Sequence, residues 1–144
     1  MAFWHAQLNL RLLLVEDHAG TGEWVAVMLR ACGCSVELAH SGHEAVAAAA
    51  RVPPDIVLLD LRLPDFDGFE VARRIRQQPC SCQAAFIAIT GQDDELSRER
   101  ARMLGFVQYL VKPIATERLI QVLADLTGPQ SPLRPVNRDA VRAA

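Results

Sequence analysis

Five short apolar segments, each of strand length, recur along the 144-residue chain and limit how it can fold. They lie at residues 11–16, 35–39, 55–59, 84–89 and 106–110. The first reads RLLLVE and is bounded by charged residues, a pattern typical of a strand that is buried on both faces. We therefore predict five strands.

Segments with helical character separate these strands. We predict helices at residues 21–32, 42–51, 68–77, 93–104 and 116–126. In the last of them Leu119, Val122, Leu123 and Leu126 fall at i, i+3, i+4 and i+7, which makes one apolar stripe. Strands and helices that alternate with short connections require right-handed parallel crossovers. The sequence therefore predicts a doubly wound α/β fold, with a parallel sheet covered by helices on both faces.

Composition and charge narrow the class of protein. Hydrophobic residues make up 51% of the chain and charged residues 22%, which is ordinary for a packed globular protein. A net charge of −2 gives no general attraction to nucleic acid, so we expect no nucleic-acid partner. No segment approaches the roughly 18 apolar residues of a membrane span, and the N-terminus lacks a signal-peptide pattern. We expect a cytoplasmic protein without membrane contact.

The length suits one folded domain. We expect this domain to cover residues 10–127, after an N-terminal extension or linker at residues 1–9. From residue 128 the sequence GPQSPLRPVNRDAVRAA contains prolines and small residues but no apolar stripe. We expect residues 128–144 to be a flexible tail, with no effector module following the domain.

The residues that follow four of the predicted strands share a coherent chemistry. The first strand ends in Glu16 and Asp17, Asp60 follows the third strand, Thr90 follows the fourth, and the fifth leads to Lys112. Ligands of an open parallel sheet bind beyond the carboxyl ends of its strands, so these side chains should meet. Three carboxylates together repel one another unless a cation is present. Hard oxygen donors with room for water and phosphate favour Mg²⁺.

Asp60 is the candidate nucleophile of this site. A carboxylate that accepts a phosphoryl group forms an acyl phosphate, and the transfer needs mainly alignment and neutralisation of oxygen charge. Mg²⁺, the Lys112 ammonium and the Thr90 hydroxyl are suited to that neutralisation. The pattern therefore favours phosphoryl acceptance at Asp60.

These strand-end residues resemble those of the response-regulator receiver family of two-component signalling. The segments LLLVEDH, DIVLLDLRLPDFDGFEVARRIR, FIAITG and GFVQYLVKP resemble the family's blocks in order and spacing. The resemblance covers roughly residues 10–126. It implies a flavodoxin-like, five-stranded sheet in the order 2-1-3-4-5, flanked by five helices. It also implies a signalling phosphoacceptor rather than an enzyme.

The resemblance assigns roles around Asp60. It implies that Asp60 is phosphorylated and that Glu16, Asp17, Asp60 and the backbone carbonyl of Arg62 bind Mg²⁺. Arg62 and Gln92, two residues beyond the aspartate and the threonine, would tune hydrolysis of the phosphoryl group. Because neither is a carboxylate that can activate water, we expect slow-to-moderate autodephosphorylation.

The resemblance also implies a switch. Thr90 would bond a phosphoryl oxygen, and the Lys112 ammonium would pair with the phosphate. The peptide bond between Lys112 and Pro113 would be cis. Tyr109 would be the switch aromatic, whose ring turns inward when the Thr90 hydroxyl moves toward the phosphate.

The implied partners are proteins. A histidine kinase or phosphotransfer domain would donate the phosphoryl group, and an output partner would bind the face of helix four, strand five and helix five. That face would include Arg98, Arg102, Leu104, Gln108, Tyr109 and Leu119. The sequence leaves open whether the chain dimerises. It also leaves open whether the chain is a stand-alone receiver or one excised from a hybrid histidine kinase. The segment AITGQDDELSRERARMLGFVQYLVKP resembles the receivers of hybrid kinases more than those of transcription factors.

Three alternatives use the same topology: a flavodoxin-like nucleotide binder, a haloacid-dehalogenase-type phosphatase and a non-phosphorylated pseudo-receiver. A nucleotide binder needs a phosphate-cradling loop after the first strand, where VEDHAGTG has two carboxylates. Such a phosphatase has a D-x-D pair, but Leu61 and Arg62 follow Asp60. Only a chemical test of phosphorylation distinguishes a pseudo-receiver from a phosphoacceptor.

Two C-x-C pairs, Cys32/Cys34 and Cys80/Cys82, could be zinc half-sites or disulfide partners. In the implied fold they precede strands two and four and lie roughly 14 Å apart. That distance is too long for a tetrahedral site, so we expect free thiols.

Overall fold

A computed structural model describes residues 7–81 and 83–127. The strands are β1 (Arg11–Val15), β2 (Ser35–Ala39), β3 (Ile56–Leu59), β4 (Ala85–Thr90) and β5 (Gln108–Val111). The helices are α1 (Ala19–Ala31), α2 (Gly42–Arg51), α3 (Gly68–Arg76), α4 (Glu95–Met103) and α5 (Thr116–Thr127). Within this described part, no helix is both long and apolar enough to cross a membrane. The predicted tail and most of the N-terminal extension lie outside the described residues.

The five strands form one parallel sheet in the order β2-β1-β3-β4-β5. This confirms the predicted fold class and strand order. All four residues of β3 are buried, because neighbouring strands lie on both sides of it and helices cover both faces of the sheet. That environment explains why the strand segments are continuously apolar rather than alternating.

Alternate residues of each strand enter different cores. In β1, Leu12 and Leu14 face one side of the sheet, whereas Leu13 and Val15 face the other. The first side packs under α1 and α5, with the helix residues Leu29, Ile120 and Leu123. The second side packs under α2 and α3, with the helix residues Ala45, Ala49, Val71 and Ile75.

Polar side chains cap three helices at the edge of the sheet where β1 and β3 end. Ser41, Asp67 and Asp94 each accept a backbone N–H from the first turn of α2, α3 and α4 respectively. Asp65, in the loop before α3, also accepts the first two N–H groups of α2, each at 2.8 Å. Burial opposes ionisation of Asp65, but its backbone donors outweigh that and lower its pKa to about 2.

Most element boundaries differ from the sequence prediction by one or two residues, and two of these differences have a clear cause. Helix α4 begins at Glu95 rather than at residue 93, because Asp94 is its N-cap. Strand β5 begins at Gln108 rather than at residue 106. The Phe106 N–H donates to the Ala101 carbonyl at 2.9 Å, so Phe106 closes the end of α4 instead of starting the strand.

Two leucines pack more deeply than expected, and the placement of one of them, Leu119, on the output face was wrong. Leu8 is only 8% exposed and its N–H donates to the Cys32 carbonyl at 2.9 Å, so part of the predicted N-terminal extension packs against the domain. Leu119 is only 5% exposed and lies in the core under α1 and α5. It therefore does not belong to the output face, because the apolar stripe of α5 faces the sheet.

The cysteines in the described residues are free thiols. Cys32 and Cys34 are buried and Cys80 is exposed, whereas Cys82 lies outside the described residues. Burial raises the pKa of Cys34 to about 11, which disfavours the thiolate that would bind a metal.

We expect Gly68→Ala to lower the free energy of unfolding by about 1–3 kcal/mol, because overpacking strains a close contact. A Cβ at Gly68 would lie 2.8 Å from both the Asp60 carbonyl oxygen and the Leu61 Cα. Urea denaturation measures the change. The control is Gly20→Ala in α1, where a Cβ meets nothing within 4 Å and the helix gains up to about 1 kcal/mol. Equal effects of the two substitutions would contradict the close contact.

Candidate functional site

Three carboxylates meet at the carboxyl ends of β1 and β3. Oxygens of Glu16, Asp17 and Asp60 all lie within 4.8 Å of one another. Glu16 and Asp60 are each 6% exposed, whereas Asp17 is exposed. Val15 and Leu59 are paired in register, so the residues after them reach the same edge. Across residues 7–81 and 83–127, no other group of three or more His, Cys, Asp or Glu side chains is arranged to hold a metal.

Lys112, the only lysine of the chain, reaches this cluster from the end of β5. Its Nζ donates to Glu16 Oε2 at 2.7 Å and to Asp60 Oδ2 at 3.0 Å. Its backbone N–H donates to the Thr90 carbonyl at 2.8 Å, and its peptide bond to Pro113 is cis. Partial burial would lower the pKa of Lys112, but the two carboxylates outweigh it and raise the pKa. The ammonium therefore stays charged and offsets part of the cluster.

Both carboxylate oxygens of Asp60 have a donor. Oδ2 accepts from Lys112, and Oδ1 accepts the backbone N–H of Arg62 at 3.0 Å. The Arg62 side chain is exposed. The two donors fix the plane of the Asp60 carboxylate at the mouth of the site.

His40 supports the site and was not assigned by the sequence analysis. Its Nδ1 lies 2.9 Å from the Glu16 carbonyl oxygen, which the Nδ1–H tautomer satisfies. Its backbone N–H donates to Glu44 Oε2 at 2.8 Å. His40 directly follows β2, so the strand-end rule that selected Asp60 points to it as well. Position alone did not suggest a role for His40, because a single histidine without metal-ligand spacing indicates no particular chemistry.

Thr90 and Tyr109 are linked through one residue. The buried Thr90 hydroxyl oxygen accepts the Gln92 N–H at 3.2 Å, and the Gln92 carbonyl accepts the Tyr109 hydroxyl at 2.6 Å. The Tyr109 ring is partly buried, and this burial raises the pKa of its phenol. The ring packs against a cluster of Leu61, Phe69, Ala88 and Ala101.

An apolar cleft of about 500 Å³ opens beside the carboxylates, between α1 and α5. Its walls include Leu14, Val25, Met28, Leu58 and Ile89. Glu16, Asp60 and Lys112 lie along it, and Trp24, which also lines it, is 63% exposed. The cleft leaves one side of the carboxylate cluster accessible.

Comparison with known proteins identifies the family. The sequence model described as the response regulator receiver domain matches residues 12–124. The chain belongs to this family. It is 35% identical over 133 residues to the transcriptional regulatory protein TrcR of Mycobacterium tuberculosis. It is 33% identical over 118 residues to the signal transduction histidine-protein kinase BarA of Escherichia coli. These alignments cover 92% and 82% of this chain but only 51% and 13% of the two relatives.

Solved receiver structures agree with the fold. The non-phosphorylated HemR receiver domain of Leptospira biflexa matches with a TM-score of 0.76 and 32% identity, over 85% of this chain and 97% of that one. The receiver domain of the sensor histidine kinase PA1611 of Pseudomonas aeruginosa matches with a TM-score of 0.72 and 34% identity, over 81% and 95%. The PA1611 structure has a magnesium ion in its active-site cleft. This chain is thus a receiver domain of two-component signalling.

We expect Lys112→Met to lower the free energy of unfolding by about 2–4 kcal/mol in metal-free buffer, because Glu16 and Asp60 then stay buried without their cation. Adding Asp60→Asn to this variant should restore part of the loss, since it removes one of the two charges. Urea denaturation in EDTA measures both.

The control for this prediction is Arg51→Met. Arg51 pairs with Glu37, and both side chains of that pair are at least 36% exposed. Its removal should change stability by less than about 1 kcal/mol. A Lys112→Met variant no less stable than Arg51→Met would show that the ammonium does not stabilise the cluster.

Proposed function

We propose that Asp60 accepts a phosphoryl group from a phosphohistidine of a histidine kinase or phosphotransfer domain. The position of Asp60 carries this proposal: a 6%-exposed carboxylate lies 3.0 Å from the Lys112 ammonium and within 4.8 Å of two other carboxylates. The domain would act as a signalling phosphoacceptor that assists its own phosphorylation and dephosphorylation. We also propose a cytoplasmic location, in line with the free thiols of Cys32, Cys34 and Cys80.

The donor set fits Mg²⁺. We propose that Glu16, Asp17, Asp60 and the backbone carbonyl of Arg62 are its ligands. The three side chains offer only oxygen, and Mg²⁺ is typically held by a few carboxylates together with water and phosphate. Lys112 offsets only part of their charge, so a cation is favoured. When bound, Mg²⁺ supplies positive charge that neutralises the oxygens of the transferred group.

The transfer uses Asp60 as the nucleophile. As its carboxylate oxygen bonds to phosphorus, the bond between phosphorus and the donor's histidine nitrogen breaks, and that electron pair returns to the imidazole. The Lys112 ammonium, beside Oδ2, pairs with the phosphoryl oxygens. The Arg62 N–H, at Oδ1, keeps the carboxylate oriented.

The readout starts at Thr90. When the Thr90 hydroxyl moves to donate to a phosphoryl oxygen, its hydrogen bond from the Gln92 N–H breaks. Gln92 also accepts the Tyr109 hydroxyl through its carbonyl, so the movement affects Tyr109. The change reaches the face formed by α4, β5 and α5, which we propose as the output surface. Its residues are Arg98, Arg102, Leu104, Gln108 and Tyr109. The two arginines suit an acidic or polar partner surface.

We expect acetyl phosphate with Mg²⁺ to add one phosphoryl group per chain, seen by intact-mass spectrometry. Asp60→Asn should abolish the addition, because an amide is not a nucleophile for phosphorus under these conditions. Excess EDTA should also prevent it in the wild type.

Asp65→Asn serves as the matched control. Asp65 is a nearby loop carboxylate that caps α2 instead of lying in the cluster, so its replacement should leave phosphorylation intact. If the wild type gains no phosphoryl group from acetyl phosphate and shows no response to beryllofluoride, the proposed function is wrong and the pseudo-receiver interpretation replaces it.

We expect the phosphoryl group to persist for minutes or longer in Mg²⁺, because neither Arg62 nor Gln92 can activate the attacking water as a base. Phosphate-affinity electrophoresis of samples taken after removal of the donor measures the half-life. Arg62→Asn should shorten it, because a smaller amide opens the site and can orient water. A wild-type half-life of only seconds would contradict this assignment.

A further inference from the structure

We propose that Arg98 is a positioning residue that holds Tyr109 in its inward conformation before any phosphorylation. This inference rests on the proposed role of Tyr109 as the switch residue. It assigns to the side chain of Arg98 a task within the domain, in addition to its place on the output surface.

Arg98 lies over the face of the Tyr109 ring. Its guanidinium carbon is 4.8 Å from the ring centroid, a distance at which a cation is attracted to the ring. Its Nε donates to Asp93 Oδ1 at 2.6 Å, which fixes the direction of the guanidinium. Asp93 precedes the N-cap of α4, so the anchor of Arg98 belongs to the same loop as Gln92.

The Tyr109 ring is held at three places. Its hydroxyl donates to the Gln92 carbonyl at 2.6 Å, and its ring packs inward against the cluster that contains Ala88 and Ala101. Arg98 covers the ring as the third contact. A ring that turned outward would lose all three contacts together, so each of them favours the inward conformation.

The other arginines of α4 have different partners. Arg100 lies over the Phe69 ring at 4.3 Å, and Arg102 pairs with Glu99 at 2.5 Å. Arg98 therefore provides a contact with Tyr109 that its neighbours on the helix do not supply. The usual strength of an exposed cation–π contact corresponds to about a two- to fivefold change in the ratio of inward to outward ring.

Tyr109 is the only tyrosine of the chain, so incorporation of 3-fluorotyrosine gives one ¹⁹F resonance that reports its environment. The shift of this resonance between H₂O and D₂O measures how much solvent reaches the ring. In metal-free protein we expect Arg98→Ala to increase this isotope shift, as the ratio of inward to outward ring falls about two- to fivefold. Arg98→Lys, which keeps the charge but not the planar group, should give an intermediate shift.

Arg102→Ala is the matched control, because it removes an arginine from the same helix without touching the ring. An unchanged isotope shift in Arg98→Ala, or an equal change in Arg102→Ala, would overturn the proposal. Beryllofluoride with Mg²⁺, added to Arg98→Ala, tests the switch itself, because it should turn the ring inward again and lower the raised isotope shift. An Arg98→Ala variant whose raised shift does not fall with beryllofluoride would refute the switch and keep the contact.

Discussion

The ion pairs of Lys112 with Glu16 and Asp60 determine the geometry of the site. Two nearly buried carboxylates at one sheet edge repel each other, and each would carry a large desolvation cost without a cation. The lysine follows the end of β5, and β4 lies between β5 and β3, so the side chains of Lys112 and Asp60 together bridge roughly 10 Å of sheet. A long, flexible side chain with a compact charge meets that requirement. The hydrogen bond from the Lys112 backbone N–H to the Thr90 carbonyl fixes the position of the lysine backbone.

The packing of the core and the spacing of the acids have the same origin. In β1, Leu13 and Val15 face one core while Leu12 and Leu14 face the other. A slip of β1 by one residue would exchange the two sets and also move Glu16 away from Asp60. Burial of the apolar residues therefore fixes the register that brings the carboxylates together. The close contact of Gly68 with the Asp60 backbone adds a second constraint, because it sets how near α3 lies to the site.

Features that depend on periodicity and on strand ends could be predicted from the sequence. Alternation of apolar segments and helices was sufficient for the fold class, and the strand-end residues Glu16, Asp60 and Lys112 were found because parallel strands end at one edge. Prediction failed where tertiary contacts decide. Phe106 is apolar and of strand type, yet its N–H closes α4. Leu119 was placed on an outer face although its own helical stripe required burial.

Other features had no signal in the pattern. His40 is a lone histidine whose task is to hold the Glu16 carbonyl, and the side chain of Arg98 looks like any arginine of a solvated helix. Both act through a single partner that only the folded chain brings near. Gln92 connects the threonine with the tyrosine, because its N–H donates to the Thr90 hydroxyl and its carbonyl accepts the Tyr109 hydroxyl. A change at the buried threonine cannot leave the tyrosine unaffected unless the loop between them gives way. The hydrogen bond and the cation–π contact each contribute only about 1 kcal/mol, so under the proposed switch the loss of either contact would change the balance between inward and outward rings by a modest amount.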